Sequence, residues 1–284
     1  NIGKVDNKGY ELSVNWRDRI HYFRYHIGFN LAYAKNKIVF QDEVPYPYDY
    51  MRKTGKPVGQ QMGYKYDGFF SEEDVAKYET ERGKSIPDHG TGYIPKPGDV
   101  KYKDLNNDHK IDQYDVAAIG YPVYPLLTGG INLGFSYKGF DFSMTWSGAT
   151  KVSRLLDDIF REPFGATDSR SLMKYMIDDM WTPEKGNSAK APAISFTNKV
   201  NNYRDSDLWL RDASYLRLKN VEIGYNFSKK ILSKINIGSL RVFATGYNLL
   251  TLDKLKIVDP ESRPNGNAMY PVVMVINMGL KVGF

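Results

Sequence analysis

The stretch that most constrains the fold is the last one, Tyr270-Pro-Val-Val-Met-Val-Ile-Asn-Met-Gly-Leu-Lys-Val-Gly-Phe284. Every second residue from Val272 through Met274, Ile276, Met278, Leu280 and Val282 to Phe284 is apolar. The alternate set, Val273, Val275, Asn277, Gly279, Lys281 and Gly283, turns small or polar toward the end. A period of two predicts a β-strand with one uniformly apolar face. An ordinary soluble strand runs about 5–6 residues, whereas a transmembrane strand needs about 9–11, apolar toward lipid and polar toward the lumen. A long strand of a soluble sheet satisfies the same period, so the rest of the chain decides.

The pattern recurs. Tyr10, Leu12, Val14 and Trp16 alternate with Glu11, Ser13 and Asn15. A polar link, Arg17-Asp18-Arg19, is predicted to turn the chain into a second strand. There Phe23, Tyr25, Ile27, Phe29, Leu31 and Tyr33 oppose Arg24, His26, Gly28, Asn30 and Ala32. Leu127, Gly129, Ile131, Leu133, Phe135 and Tyr137 follow, and after Lys138-Gly139 come Phe140, Phe142, Met144 and Trp146. Residues 207–227 carry another strand, clear at Val221, Ile223, Tyr225 and Phe227. Leu216 and Leu218 sit in the opposite phase, which calls for a β-bulge or a strand top above the membrane. Residues 239–250 are extended, with faces that period alone does not assign.

The links alternate in length. Those near 17–19, 138–139 and 228–237 are short; those at about 35–122, 151–206 and 251–269 are long. Outer-membrane barrels place short turns on the periplasmic side and long loops outside. The expected fold is therefore all-β, a transmembrane antiparallel β-barrel, with residues 1–284 supplying about seven strands. Seven is odd and bacterial single-chain barrels use even numbers, so further strands are expected upstream. Within the first excursion, Pro57–Gly68 reads as a short extended segment. Ser71-Glu-Glu-Asp begins a short helix with Ser71 as N-cap. A second helix is expected around Ser169–Trp181, ended by Thr182-Pro183.

Composition narrows the classes. No run approaches the 18 apolar residues of a spanning helix. Aromatic residues make up 14%, with 22 Tyr, as the interfacial girdles of a barrel require. The net charge is +6, but Lys and Arg are dispersed among Asp and Glu, so no groove for nucleic acid is expected. The absence of cysteine excludes disulfides and thiolate metal sites. No apolar targeting segment opens the chain at Asn1, which is read as an internal start within a surface loop.

One constellation has metal-ligand spacing. Asp104, Asn106, Asp108, Asp112 and Asp115 place oxygen donors at positions one, three, five, nine and twelve, with the Lys110 carbonyl at seven. This is the pattern of an EF-hand-like Ca²⁺ loop. His109 stands where a glycine is wanted and Asp115 where a bidentate Glu is usual. An acidic turn whose Asp and Asn side chains bind the backbone fits equally. No catalytic constellation is present: His21, His26, His89 and His109 are isolated, and Asp157, Asp158 and Glu162 read as a solvated face. The protein is not expected to be an enzyme. Loop aromatics such as Tyr46, Tyr48, Tyr50, Tyr64, Tyr66, Phe69, Phe70, Trp181 and Trp209 suit ligand stacking, partner packing or loop cohesion alike.

Several segments resemble one family. They are Asn7–Arg17, Gly98–Asp112, Ser136–Phe142, Trp181-Thr-Pro-Glu184, Ser214–Phe227, Gly246-Tyr-Asn-Leu-Leu250, Val258-Asp-Pro-Glu261 and the terminal Phe284. In this order they are similar to the carboxy-terminal half of SusC/RagA-type TonB-linked outer-membrane transporters. The resemblance implies a 22-stranded barrel in a Gram-negative outer membrane, an amino-terminal plug not included in these residues, and a SusD-like surface lipoprotein as a lid. It also implies energised uptake of glycans or peptides through TonB, and a terminal strand ending in Phe284 that resembles the signal read by the barrel-assembly machinery. Family copies of the acidic loop commonly read Asn-Gly-Asp-Gly, and this one lacks both glycines. A passive porin or adhesin barrel is the alternative on the same fold, and a soluble β-rich glycan-binding or enzymatic domain the alternative off it.

Overall fold

The computed structural model describes residues 3–156, 158–164, 171–262 and 272–284. Seven long strands form one antiparallel sheet. They are β1 (Gly3–Ile20), β2 (Phe23–Gln41), β3 (Leu127–Tyr137), β4 (Phe140–Thr150), β5 (Tyr215–Asn226), β6 (Ser239–Asp253) and β7 (Val275–Gly283). Each strand pairs with its neighbours in chain order, a meander, with β1 and β7 at the two edges. From Phe23 to Tyr33 is about ten residue steps of about 3.3 Å, which at a tilt of about 40° spans roughly 25 Å, the height of a hydrocarbon band. No helix among the described residues is long and apolar enough to cross a membrane.

The register puts the alternating sets where the sequence predicts. Trp16, Ile27, Leu133 and Met144 share one cross-strand row, and Val14, Phe29, Ile131 and Trp146 the next. This face stays open: Trp16, Ile27, Ile131, Phe140, Ile223 and Leu280 are all exposed. At the short-turn end it carries a dense aromatic belt, with Phe23 on Phe135 at 5.5 Å, Phe135 on Phe142 at 5.5 Å and Phe140 on Tyr225 at 4.6 Å.

The phase break in β5 is a bulge. Leu218 pairs with Trp146, and Asn220 with Thr145, leaving Lys219 without an opposite number on β4. Leu216, Leu218, Val221, Ile223 and Tyr225 therefore all oppose even-numbered residues of β4 and lie on one face. On the other side, Leu218 pairs with Leu250 and Asn220 with Tyr247, so β6 loops out Asn248 and Leu249. Asn248 takes the left-handed conformation there, at φ 53°. This pairing also assigns the faces of β6, with Val242, Ala244 and Gly246 facing outward beside Ile223 and its neighbours.

Several expected boundaries move. The first turn is at His21-Tyr22, not 17–19: Arg17 pairs with His26 and Asp18 with Tyr25 inside the hairpin. The charged triplet mimicked a turn because it lies where the strands leave the apolar band, and His21 sits at the turn with φ 55°. β2 continues to Gln41 and β6 to Asp253, so the long excursions begin later than expected. The second one ends at Ser214, because residues Leu210–Asp212 pair with Ser153–Leu155 in a separate two-stranded ribbon. The final strand starts at Val275; Tyr270 and Pro271 lie outside the described residues.

Both expected loop helices exist. α1 (Glu72–Glu81) begins at a capping box in which the Ser71 hydroxyl accepts from the Asp74 backbone N–H and the Asp74 carboxylate accepts from Ser71 N–H. α2 (Lys174–Asp179) is shorter than the expected 169–181, whose first residues, 169 and 170, lie outside the described set. The extended segment 57–68 resolves into two short strands, Met62–Gly63 and Tyr66–Phe69.

Candidate functional site

The inward face of the sheet is mostly polar, with Phe243 and small residues such as Ala32 and Ala149 among the polar ones. On it Arg17, Arg19, Arg24 and His26 of the first hairpin adjoin Asp141 and Ser143 around a cavity of about 720 Å³. Arg241 ion-pairs with both Asp141 and Glu222, linking three strands across the lumen wall. Gly224 is a required gap: a Cβ there would meet the Arg241 guanidinium at 2.5 Å and the Asp141 carboxylate at 2.7 Å. Thr145 donates to Asn132 at 2.9 Å one row higher. Charges, hydroxyls and amides of this kind suit the water-filled interior of a barrel.

Above the sheet the long excursions fold onto one another around their own core. Phe69, Val100, Tyr102, Ile111, Val152, Leu156, Leu208, Trp209 and Leu255 are buried together, drawn from all three excursions. Tyr64, Tyr66 and Trp181 pack against this cluster, so most of the loop aromatics hold the dome together. Tyr48 and Tyr50 stack at 5.3 Å beside it, and the Tyr50 hydroxyl donates to the Tyr114 carbonyl.

A buried polar network ties the first excursion to the second. Asn202 donates to Asp99 at 2.6 Å and accepts from the Val100 N–H. Asn201 donates to the Val100 carbonyl and faces His89 Nδ1 at 3.0 Å. Tyr102 donates to the Asn201 carbonyl and the Trp209 indole to that of Asn202. His89 lies between Phe70 and Tyr93, with ring centroids 5.2 Å from each. Burial in this aromatic cage lowers its pKa to about 4 despite the Asn201 hydrogen bond, so it is neutral at physiological pH. Burial and the neighbouring Asp99 push the Tyr93 hydroxyl far up. Asp99, Asn201 and Asn202 gave no signal in the sequence, because each contacts a residue about a hundred positions away.

The third excursion is pinned by arginines. Arg217, 1% exposed on the inward side of β5, ion-pairs with Asp259 and Glu261, and its Nε donates to Thr251 at 2.9 Å. Lys219 and the Tyr215 hydroxyl also bond Glu261. Burial raises the Glu261 pKa, but these hydrogen bonds and Arg217 outweigh it and hold the carboxyl below its usual range. Arg154 donates to the carbonyls of Asp259 and Ser262 from the other side.

The acidic loop is closed by its own side chains. Asp104 accepts from the N–H groups of Asp108 and His109, Asp108 from Lys110, and Asp112 from Tyr114. Asn106 donates to Asp108 at 3.0 Å. Asp115 is fully buried, its two oxygens accepting from Leu105 and Asp112 N–H. Burial, with Asp104 and Asp112 nearby, raises its pKa. His109 adopts φ 62°, the left-handed turn for which a glycine was wanted, and Asn107 φ 59°. The backbone at Lys110 forms a β-bridge with Asp88, whose N–H donates to the His109 carbonyl and whose carbonyl accepts from Ile111 N–H. No group of three or more His, Cys, Asp or Glu converges in metal-holding geometry among the described residues. Of the carboxylates read as a solvated face, Asp158 pairs with Arg161 at 2.8 Å, and Asp157 lies outside the described residues.

An open sheet with a lipid-type face outside, a polar face inside and a folded dome of loops at one end is a segment of outer-membrane-type barrel wall. Comparison with known proteins gives this class its relatives. No protein-family model matches the chain. The whole chain aligns with TonB-dependent receptor P3 of Formosa agariphila at 29% identity and with TonB-dependent receptor SusC of Bacteroides thetaiotaomicron at 26%. It covers 29% and 27% of those proteins, under a third of their length. Among solved structures it superposes on the RagAB peptide importer in its open-open state with a TM-score of 0.72, at 20% identity, over 99% of this chain and 29% of that one. The closed-closed state gives 0.72 at 22% identity. Along its whole length the chain is similar to proteins named TonB-dependent receptors, SusC among them. These relatives are named as receptors and importers, not as enzymes.

Proposed function

We propose that this chain forms the lumen wall and surface dome of an outer-membrane importer of the SusC/RagA type, working without covalent chemistry. The observation that carries this reading is the seven-strand sheet, apolar outside and charged inside, capped by a self-packed loop dome. The likeness to SusC and to the RagAB peptide importer supports it. In this reading the sheet is completed by further strands to a barrel of about 22. A plug engages TonB, a SusD-like surface lipoprotein closes over the dome, and the cargo is a glycan or a peptide. The aromatic last strand with Phe284 serves barrel assembly, in the outer membrane of a Gram-negative cell.

The test is uptake by cells expressing the complete protein, supplied with labelled oligosaccharides and peptides as alternative cargo. Uptake of one class that stops when TonB is deleted is the expected result. Uptake that persists without TonB turns the reading to a passive porin, and surface binding with no uptake turns it to an adhesin.

We also infer that the loop Asp104–Asp115 takes up Ca²⁺ through Asp104, Asn106, Asp108, Asp112 and the Lys110 carbonyl, with buried Asp115 bracing the loop through the Leu105 and Asp112 N–H groups. The left-handed turn at His109 favours this. Elemental analysis of the purified protein should find calcium that D104A/D108A lacks; equal metal content in both would leave only the hydrogen-bonded turn.

A further inference from the structure

On the outward face, just beyond the apolar band at the dome end, lie three exposed lysines without an ion pair among the described residues. Lys8 and Lys35 are directly opposite one another across the β1–β2 ladder. Like charges in that position repel, and a sheet without a reason for them places an acid there. The next pair along does so, Asp6 opposite Lys37. Lys151, at the end of β4, places its Nζ 5.3 Å from the centre of the Tyr33 ring. Tyr33 in turn stacks on Tyr10 at 5.3 Å, and this tyrosine pair is the last aromatic row of the outward face before the lysines. Lys8, Lys35 and Lys151 are exposed, and none forms an ion pair among the described residues.

A surface cavity of about 1090 Å³ opens at this point, lined by Lys8, Tyr10, Tyr33, Lys35 and Lys37. Two acids also line it: Asp6 lies opposite Lys37, and Glu43 accepts from the N–H groups of Lys53 and Thr54. Arg52, also on the rim, is drawn to Asp49. Lys8, Lys35, Lys37 and Arg52 outnumber Asp6 and Glu43, so the cavity presents an excess of positive charge over an aromatic floor. It lies at the height where an apolar face gives way to headgroups, about two residues above the Tyr10–Tyr33 row.

We propose that this site clamps the phosphate of an outer-leaflet lipid, with Lys8, Lys35 and Lys151 on the anion and Tyr10 and Tyr33 beneath its sugar or glycerol. The anion removes the repulsion between Lys8 and Lys35, so the complete barrel should retain such lipid through detergent extraction. Juxtamembrane lysines each contribute attraction to an anionic surface. The proposal rests on reading the dome end as the cell-surface end, which protease cleavage of a tag placed at Gly92 in intact cells checks independently.

The experiment compares the complete protein with K8Q/K35Q/K151Q and with a control, K84Q/K103Q/K190Q, that removes three exposed dome charges elsewhere. Each is extracted from membranes, and co-purified lipid phosphate is measured by native mass spectrometry. Nanodiscs with bisphosphorylated or dephosphorylated lipid A then rank headgroups, and inorganic phosphate alone serves as competitor. We expect the first variant to lose bound phospholipid or lipid A roughly ten-fold or more while the control keeps it. Equal retention in all three proteins, equal loss in both variants, equal binding of dephosphorylated lipid, or full displacement by millimolar inorganic phosphate would each overturn the proposal.

Discussion

The wall and the dome use the same residue types in opposite ways. In the wall, Met278 is 85% and Leu280 69% exposed, and the apolar face touches nothing of the chain itself. In the dome, Phe70, Val100 and Ile119 are fully buried. The wall is written for an external apolar solvent and the dome for an internal one. Hence the wall shows strict alternation and little compact packing, whereas the dome shows scattered aromatics and a real core. The wall's stability depends on the bilayer and on closing its edges; the dome's depends on its own contacts and should be separable from it.

Substitutions that act on one region and spare the other test this division. The largest effect is expected for Phe70→Ala, which empties a buried aromatic site in the dome and should cost about 3–5 kcal/mol of loop stability. Limited proteolysis should cut the dome while the heat-modifiable gel mobility of the barrel stays unchanged; a shift in both would join the two regions. Next, Ile131→Arg places a charge in the middle of the outward face and should cost about 2–4 kcal/mol of barrel stability. Its readout is the assembled fraction in the membrane, with the dome's protease pattern retained in whatever assembles.

Acid should act on the dome through His89. Its pKa in the folded dome, about 4, lies below the ordinary value of 6.5, so the unfolded dome binds the proton more readily. The stability tied to neutral His89 is present above about pH 6.5 and is lost as pH falls toward 4, on the order of 3 kcal/mol in all. Hydrogen exchange at Tyr102 and Val100 should accelerate over that window, and H89Q, which cannot take the charge, should flatten the response. The smallest effect belongs to Ser71→Ala, which removes the N-cap of α1 at about 1 kcal/mol. Faster exchange confined to α1 is the expected sign.

How far the sequence could be read follows the same division. The strand faces were legible because lipid and lumen impose a local period of two, and even the phase slip at Leu216 and Leu218 announced the bulge. The first turn was not, since Arg17-Asp18-Arg19 carries turn-like polarity inside a paired hairpin. The dome was legible only where its signals are local, as in the Ser71 cap and the acidic loop. Asp99 with Asn202, His89 with Asn201, and Arg217 with Asp259 join positions 40 or more residues apart. No local period records such pairs. The sequence likewise named the acidic loop's donors, but not that Asp115 is buried and committed to the backbone.

The extra residue in β5 works as a phase-shifter. Below it the outward side chains are odd-numbered, above it even-numbered, and Lys219 is where the count changes. Deleting that one residue would restore uninterrupted pairing with β4 and leave every face as it is, because Asn220 would then follow Leu218 in ordinary alternation. Leu216 and Leu218 would still face outward, and Arg217 would keep Asp259 and Glu261. A flip would come from the opposite change: forcing Lys219 into the ladder would turn Leu216 and Leu218 to the lumen and Arg217 to the hydrocarbon, unfastening a surface loop with no residue altered.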